Sequence, residues 1–275
     1  MTLADDVPPA SAVTIDVERY LRRIGLSMPA DGVRPTAATL AELQSAHMIA
    51  VPFENLHVVA GARMPTDVGW SYPKVVEQGR GGWCFELNGA FGALLQAIGY
   101  DVTYLSACVW DPNRLELGPP LDHLCLVVVA EDERWLVDVG FGDSALTPLR
   151  FDSTDEQDPR PRRGRLERVG DLVHYLEWMH WDDWEVQYAV DLTPRALAEF
   201  QPRSDALAGG AGGGYFSTKP FATRALDADG SRVWLLKDRL KRAEGAARDL
   251  VELPVEPAEW DATLQQWFGM SSPDA

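Results

Sequence analysis

Residues 80–100 read Arg80-Gly81-Gly82-Trp83-Cys84-Phe85-Glu86-Leu87-Asn88-Gly89-Ala90-Phe91-Gly92-Ala93-Leu94-Leu95-Gln96-Ala97-Ile98-Gly99-Tyr100. Positions 84, 87, 88, 91, 94, 95 and 98 form one stripe at helical spacing, and Gly99 supplies a stop. A helix is therefore predicted from about Trp83 to Ile98. The same period recurs upstream. Ile15, Val17, Tyr20, Leu21 and Ile24 make one face ahead of Gly25, and Leu40, Leu43 and His47 make another. Thr39-Leu40-Ala41-Glu42 fits a capping box, in which a hydroxyl caps an amide and a carboxylate reaches back.

Beyond Tyr100 the period changes to that of strands. Val102–Val109 is rich in β-formers. His123–Ala130 and Arg134–Val139 are two strand-like runs separated by Glu131-Asp132-Glu133, which reads as a hairpin. Further short strands are predicted near Leu172–Leu176 and Glu185–Val190, and together these suggest a small antiparallel barrel or sandwich. Gly209–Gly214 holds five glycines in six residues and marks a flexible loop or boundary. Trp234–Leu240 and Leu250–Val255 then read as strands. Ala258–Phe268 reads as a terminal helix with Trp260, Leu264 and Trp267 spaced for packing.

Composition removes several classes of function. With 46% hydrophobic and 24% charged residues, the chain can build a core, so wholesale disorder is excluded. The net charge of −17, from 42 acidic against 25 basic residues, repels a phosphate backbone, and no nucleic-acid partner is expected. The longest clean apolar run, Leu124–Ala130, falls far short of the ~20 residues that span a bilayer, so no membrane span is expected. The start, Met1-Thr2-Leu3-Ala4-Asp5-Asp6, has neither a basic nor an apolar leader. Three cysteines, an odd and low count, argue against a disulfide framework and suit a reducing cytosol. A cytoplasmic location is expected. No Cys-x-x-Cys or His-Glu-x-x-His occurs, so no metal is expected.

The chemistry concentrates at Cys84. Gly81 and Gly82 allow a tight turn, and Cys84 then falls in the first turn of the predicted helix. Unpaired amides and the helix dipole there favour an anion, which predicts a lowered thiol pKa and a ready-made oxyanion site. A buried, inert thiol is the competing reading. In the predicted hairpin, with its turn near Asp132, His123 lies nearly opposite residue 140, and Asp138 is its diagonal neighbour on the same face. A register slip of one residue would separate them. A carboxylate that orients an imidazole, which in turn deprotonates a thiol, makes a minimal nucleophilic machine.

Four stretches extend this pattern: Val51-Pro52-Phe53-Glu54-Asn55-Leu56, then Arg80–Asn88, then His123, then Trp135-Leu136-Val137-Asp138-Val139-Gly140-Phe141-Gly142. In that order they resemble the arylamine N-acetyltransferases. The resemblance runs from about Asp16 to Leu149 and resumes weakly at Phe216–Pro220 and Leu264–Met270. It implies a Cys84–His123–Asp138 triad and ping-pong transfer of an acetyl group from acetyl-coenzyme A to an arylamine or arylhydrazine. Acetyl-coenzyme A would serve as co-substrate, with no cofactor permanently bound. The implied fold is α+β, with a cysteine-protease-like Cys-His-Asp core. A helical domain over residues 1–99 would carry the cysteine. A β-barrel domain over 100–205 would carry the other two residues, and an α/β lid would cover 206–275.

The resemblance also implies lesser roles. Phe53 and Phe141 match aromatic positions of the family and are expected in the acceptor pocket. Gly140 and Gly142 would let the cofactor approach the backbone, and Thr218, Lys219 and Arg224 would meet it, the two cations at its phosphates. Arg80 and Glu86 are expected to pair, and Asn88 to hydrogen-bond locally. The chain departs from the family around residues 203–230, where Ala208–Gly214 is glycine-rich and the segment after Pro220 is short. A family relative working as an amide synthase, closing a polyketide thioester onto an aryl amine, is therefore an alternative. A cysteine hydrolase or transglutaminase-like enzyme shares the Cys-His-Asp order. The run from Trp178 to Trp184 is either barrel packing or a cleft rim.

Overall fold

A computed structural model describes residues 13–179, 182–209, 214–245 and 249–273. The chain opens with α1 (Val17–Arg23), capped by Asp16, whose carboxylate accepts from the Arg19 amide. Next comes α2 (Ala37–Ala50), which starts earlier than Thr39. Thr36 is its N-cap, and its hydroxyl accepts from the Thr39 amide at 3.2 Å. The capping hydroxyl thus lies three residues upstream of the expected one. Short elements follow: β1 (Phe53–Glu54), α3 (Leu56–Val59) and α4 (Val68–Tyr72), the last running into a π-helical turn at Pro73–Glu77. None of these was legible as a periodic stretch. The long helix α5 (Cys84–Ile98) is where the stripe places it, with Gly99 left-handed at its end.

The change to strands comes immediately after. The strands β2 (Asp101–Asp111), β3 (Glu116–Leu117), β4 (His123–Ala130), β5 (Glu133–Val137), β6 (Leu149–Arg150), β7 (Gly164–Val169), β8 (Leu172–Met179) and β9 (Asp183–Pro194) form one antiparallel sheet. Its order is β6-β5-β4-β2-β9-β8-β7, with β3 on β2. Gln157 nearly closes it into a barrel. Its side chain bonds both main-chain groups of Arg150 on β6, and its backbone exchanges two bonds with Gly164 on β7.

The strand β4 is buried on both faces, which explains its unbroken apolar run. Cys125 and Val127 point into the barrel with Leu105, Tyr175, Tyr188 and Val190. Leu126 and Val128 point outward and pack on Leu87, Phe91, Leu94 and Leu95 of α5. The hairpin between β4 and β5 turns on Glu131 and Asp132, both at positive φ, as a two-residue loop requires. Trp178 and Trp184 pair across β8 and β9, with Arg163 and Arg165 over their rings, on the barrel wall. His180 and Trp181 of the same run lie outside the described residues.

A second sheet follows α6 (Gln201–Ala208) and α7 (Gly214–Thr218). Residues 210–213 of the glycine run lie outside the described residues. The sheet joins β10 (Ala222–Ala225), β11 (Arg232–Leu235), β12 (Arg239–Glu244) and β13 (Asp249–Pro254), closed off by α8 (Trp260–Phe268). The stretch 234–240 is not one strand. It turns over at Leu236–Arg239, where the Leu236 amide donates to the Arg239 carbonyl. The first strand of this sheet is β1, which pairs with β10 far along the chain. Asn55, buried beside it, secures the joint. Its amide donates to the carbonyls of Phe216 (2.7 Å) and Lys219 (2.8 Å), and its carbonyl accepts from the Phe221 amide (2.9 Å).

Truncating Asn55 leaves three main-chain groups to find new partners, at a cost of roughly 1–3 kcal/mol. Asn55→Ala is expected to lower stability in urea by that order and to speed amide exchange at Phe221. Unchanged exchange at Phe221 would show that Asn55 does not hold the segment.

Candidate active site

Cys84 is the first residue of α5 and is almost buried, with 8% of its surface exposed. Two features bring it there. Gly82 packs so closely on Glu86 that a β-carbon would lie 2.5 Å from its carboxylate. The Glu86 carboxylate then accepts from the Trp83 amide at 3.1 Å and fixes the entry into the helix. The expected Arg80–Glu86 pair does not form. Glu86 is held instead by the Lys74 ammonium at 2.8 and 3.0 Å and by the Trp70 indole at 2.7 Å. Arg80 instead donates to the Ser271 carbonyl. Lys74 is closer because the π-helical turn buries it beneath the cysteine loop.

His123 opens β4, and Asp138 follows β5. Leu126 pairs with Val137, the register in which residues 123 and 138 are diagonal neighbours. The His123 ring nitrogen Nε2 meets Asp138 Oδ2 at 2.7 Å. That leaves Nδ1 available to Cys84, whose side chain adds to the upward push on the ring's pKa. The other Asp138 oxygen accepts from Asn88 Nδ2 and from the Gly140 amide, each at 2.8 Å. Asn88 was expected to bond locally. It bridges instead from α5 to the barrel, also donating to the Leu124 carbonyl and accepting from the Val139 amide. Tyr188 was not legible in the sequence as a site residue, yet its ring stacks near His123 at 5.1 Å.

Burial alone would strip the His123 ring of its proton. Asp138 more than offsets this, with Cys84 adding to the effect, and the pKa is pushed up to about 10. Burial would likewise raise the Asp138 carboxyl. The His123 charge and the bonds from Asn88 and Gly140 outweigh it and hold the group below its ordinary value.

A cavity of about 220 Å³ opens above these groups. Phe53, Trp83, Val109, Phe141, Leu207 and Phe216 wall it, with Cys84 and His123 among its polar lining residues. Both aromatic residues singled out in the sequence thus face it. Trp83 could have been inferred from its place beside Cys84. Val109, Leu207 and Phe216 come from three distant elements and carried no local signal. Asp122 also lines the cavity and pairs with Arg203 of α6 at 2.9 Å.

The glycines have reasons of their own. A β-carbon on Gly140 would lie 2.7 Å from the Cys84 α-carbon, and one on Gly142, at φ +95°, 3.2 Å from the Phe53 ring. Their missing side chains give room to Cys84 and to the pocket wall Phe53. Thr218 and Lys219 are exposed at the end of α7, and the Thr218 hydroxyl donates to the Gly214 carbonyl. Arg224 is not placed as a phosphate ligand. Its guanidinium donates to the carbonyls of Ile49 and Trp267, tying β10 to α2 and α8. Among the described residues no group of three or more His, Cys, Asp or Glu side chains is placed to hold a metal ion, and no helix is long and apolar enough to cross a membrane.

A proton held up to about pH 10 in the fold, but only to the ordinary 6.5 in the open chain, stabilises the fold fully below pH 6.5. That contribution is lost as pH rises towards 10. The melting temperature is therefore expected to decline between neutral pH and pH 10, and Asp138→Asn to flatten the decline. Equal declines in both proteins would show that Asp138 does not hold the His123 proton.

Comparison with known proteins agrees with this arrangement. A sequence profile for N-acetyltransferases matches residues 36–273. The arylamine N-acetyltransferase / N-hydroxyarylamine O-acetyltransferase of Salmonella typhimurium is 33% identical over 246 residues, which span 87% of this chain and 84% of that protein. A solved arylamine N-acetyltransferase from Salmonella typhimurium superposes with a TM-score of 0.84 at 28% identity, covering 94% of this chain and 92% of that one. The Mycobacterium marinum arylamine N-acetyltransferase in complex with CoA gives 0.81 at 28% identity, with 92% of each chain covered. By sequence over most of its length, and by fold, the chain belongs to the arylamine N-acetyltransferase family.

Proposed function

We propose that the chain transfers an acetyl group from acetyl-coenzyme A to an aromatic amine or hydrazine through a thioester on Cys84. The observation that carries this reading is the His123 ring, hydrogen-bonded to Asp138 and lining the same aromatic-walled cavity as Cys84.

In the first half-reaction the Cys84 sulfur attacks the acetyl carbonyl, its proton having passed to His123. First-turn amides of α5 stabilise the tetrahedral oxyanion. The intermediate collapses, coenzyme A leaves as a thiol with the His123 proton, and the acetyl group stays on Cys84. In the second half-reaction the amine attacks this thioester. His123 takes the amine proton, and the sulfur is released. Asp138 keeps the ring oriented and stabilises its charged form in both directions. A thiolate exchanges with a thioester at little cost because attacking and leaving groups are alike, and the amide product makes the second step favourable.

The cavity supports a small aromatic acceptor. An apolar cavity of about 150 Å³ takes a benzene ring, so 220 Å³ with four aromatic walls suits one substituted ring. Thr218 and Lys219 follow closely after the pocket residue Phe216, and we assign them to the donor's phosphate end. The names of the relatives favour transfer to a separate amine over the amide-synthase alternative. Three free cysteines fit a reducing, cytoplasmic setting.

Brief exposure to acetyl-coenzyme A without acceptor is expected to add about 42 Da, one acetyl group on sulfur, to the intact protein. An arylamine added afterwards should discharge it, and Cys84→Ser should never acquire it. A persistent absence of the adduct in the parent protein, or its loss to water at a rate indifferent to amine, would rule the transferase mechanism out.

A further inference from the structure

Beneath the nucleophile lies a set of buried charges that the reaction above does not use. The Lys74 side chain is 3% exposed. Its ammonium donates to both oxygens of Glu86, at 2.8 and 3.0 Å, and stands 3.5 Å from Glu54. Glu86, two residues after Cys84, accepts from the Trp83 amide and the Trp70 indole. Glu54 accepts from the Leu56 amide at 2.6 Å, and its own amide donates to the Gly82 carbonyl. One ammonium therefore joins the start of α5 to β1, the strand that carries the pocket wall Phe53. The other ionisable groups facing it are Arg80 and His57. His57 is held neutral, its pKa lowered to about 4 by burial and then by Lys74.

We propose that Lys74 is a positioning residue for acyl transfer: its ammonium keeps the Glu86 carboxylate in the ionised, fully bonded state that holds Trp83, and so fixes Cys84 where the sulfur meets His123. The proposal rests on the transferase reading for its effect on rate, and on geometry alone for its effect on the thiol. A buried ion pair that loses one partner leaves an uncompensated charge. Burial already pushes the Glu86 carboxyl up, and Lys74 opposes it. Without the ammonium, Glu86 takes up a proton instead. A neutral carboxyl is a weaker acceptor for the Trp83 amide, and the donor that oriented both its oxygens is gone. Small displacements of a nucleophile lose much of the advantage of fixed geometry.

The test compares the parent with Lys74→Met, Lys74→Arg and the double variant Lys74→Met/Glu86→Gln. Two rates are followed from pH 5 to 9. One is single-turnover release of coenzyme A from acetyl-coenzyme A. The other is alkylation of Cys84 by iodoacetamide, read on its own peptide so that Cys108 and Cys125 do not contribute. Lys74→Met is expected to be about ten- to a hundredfold slower at pH 6. It should recover as pH rises and Glu86 ionises, giving an ascending limb that the parent lacks. The double variant holds the acceptor of the Trp83 amide neutral at every pH, so it should stay as slow as Lys74→Met is at pH 6, about ten- to a hundredfold below the parent, without that limb. Lys74→Arg should keep the parent's profile.

A Lys74→Met profile parallel to the parent's, a double variant as fast as the parent or still showing the limb, or the extra limb in Lys74→Arg would each overturn the proposal. If Lys74→Met does not fold, the double variant and Lys74→Arg decide the matter by the same criteria. Alkylation needs no acyl donor. A parent that is alkylated normally but releases no coenzyme A would sink the transferase reading while leaving the role of Lys74 open to the same measurement.

Discussion

Everything at the site depends on one buried contact, the 2.7 Å bond between His123 and Asp138. It places a proton on a ring that burial would otherwise keep neutral. The contact is a product of sheet register. Slipping β4 against β5 by one residue would carry Asp138 to the opposite face and leave the ring unpaired. The two-residue turn at Glu131 and Asp132 sets that register, and the pairs Leu136–Leu149 and Trp135–Arg150 extend it on the far side of β5. A local choice of turn conformation thus fixes the electrostatics of a ring eight residues away.

Cys84, the proposed nucleophile, comes from a different layer and needs its own attachment. Asn88 supplies it, one turn along α5 from Cys84. Its amide group satisfies Leu124, Asp138 and Val139 together. Gly140 completes the fit, since any side chain there would press on the cysteine backbone. The helix and the barrel therefore meet at a polar seam buried from water, where each hydrogen bond counts for more than on the surface. Asn55 plays the corresponding part at the other joint, between the β1 segment and the α7 region. These two asparagines and one glycine hold three parts of the chain around a single cavity.

The legible features share a cause. The α5 helix, its stop at Gly99 and the His123–Ala130 strand could be read because their periodicity is local and strongly apolar. The unbroken apolar run of β4 has its reason in the structure, where both faces of the strand are buried. Cys84, His123 and Asp138 were legible as chemistry because each sits at the end of such an element. What failed was of another kind. The second helix begins just after Thr36 because that hydroxyl, not the one at Thr39, reaches the N3 amide. The segment 234–240 turns over because Leu236 and Arg239 bond across it. Glu86 pairs with Lys74 rather than Arg80 because a π-helical turn with no sequence signature delivers the lysine.

By itself the sequence determined which residues are candidates for the chemistry and which elements carry them, because helix and strand periods and terminal residues are written within a few neighbours. The tertiary structure alone decided their relations. It brought β1 to a sheet otherwise built from residues 222–254, gathered Val109, Leu207 and Phe216 into the wall around Phe53 and Phe141, and placed Lys74 under the cysteine. Such contacts join residues from about a dozen to more than a hundred positions apart. They are settled by how whole faces pack and by which buried polar groups find partners, and no short stretch of chain holds that information.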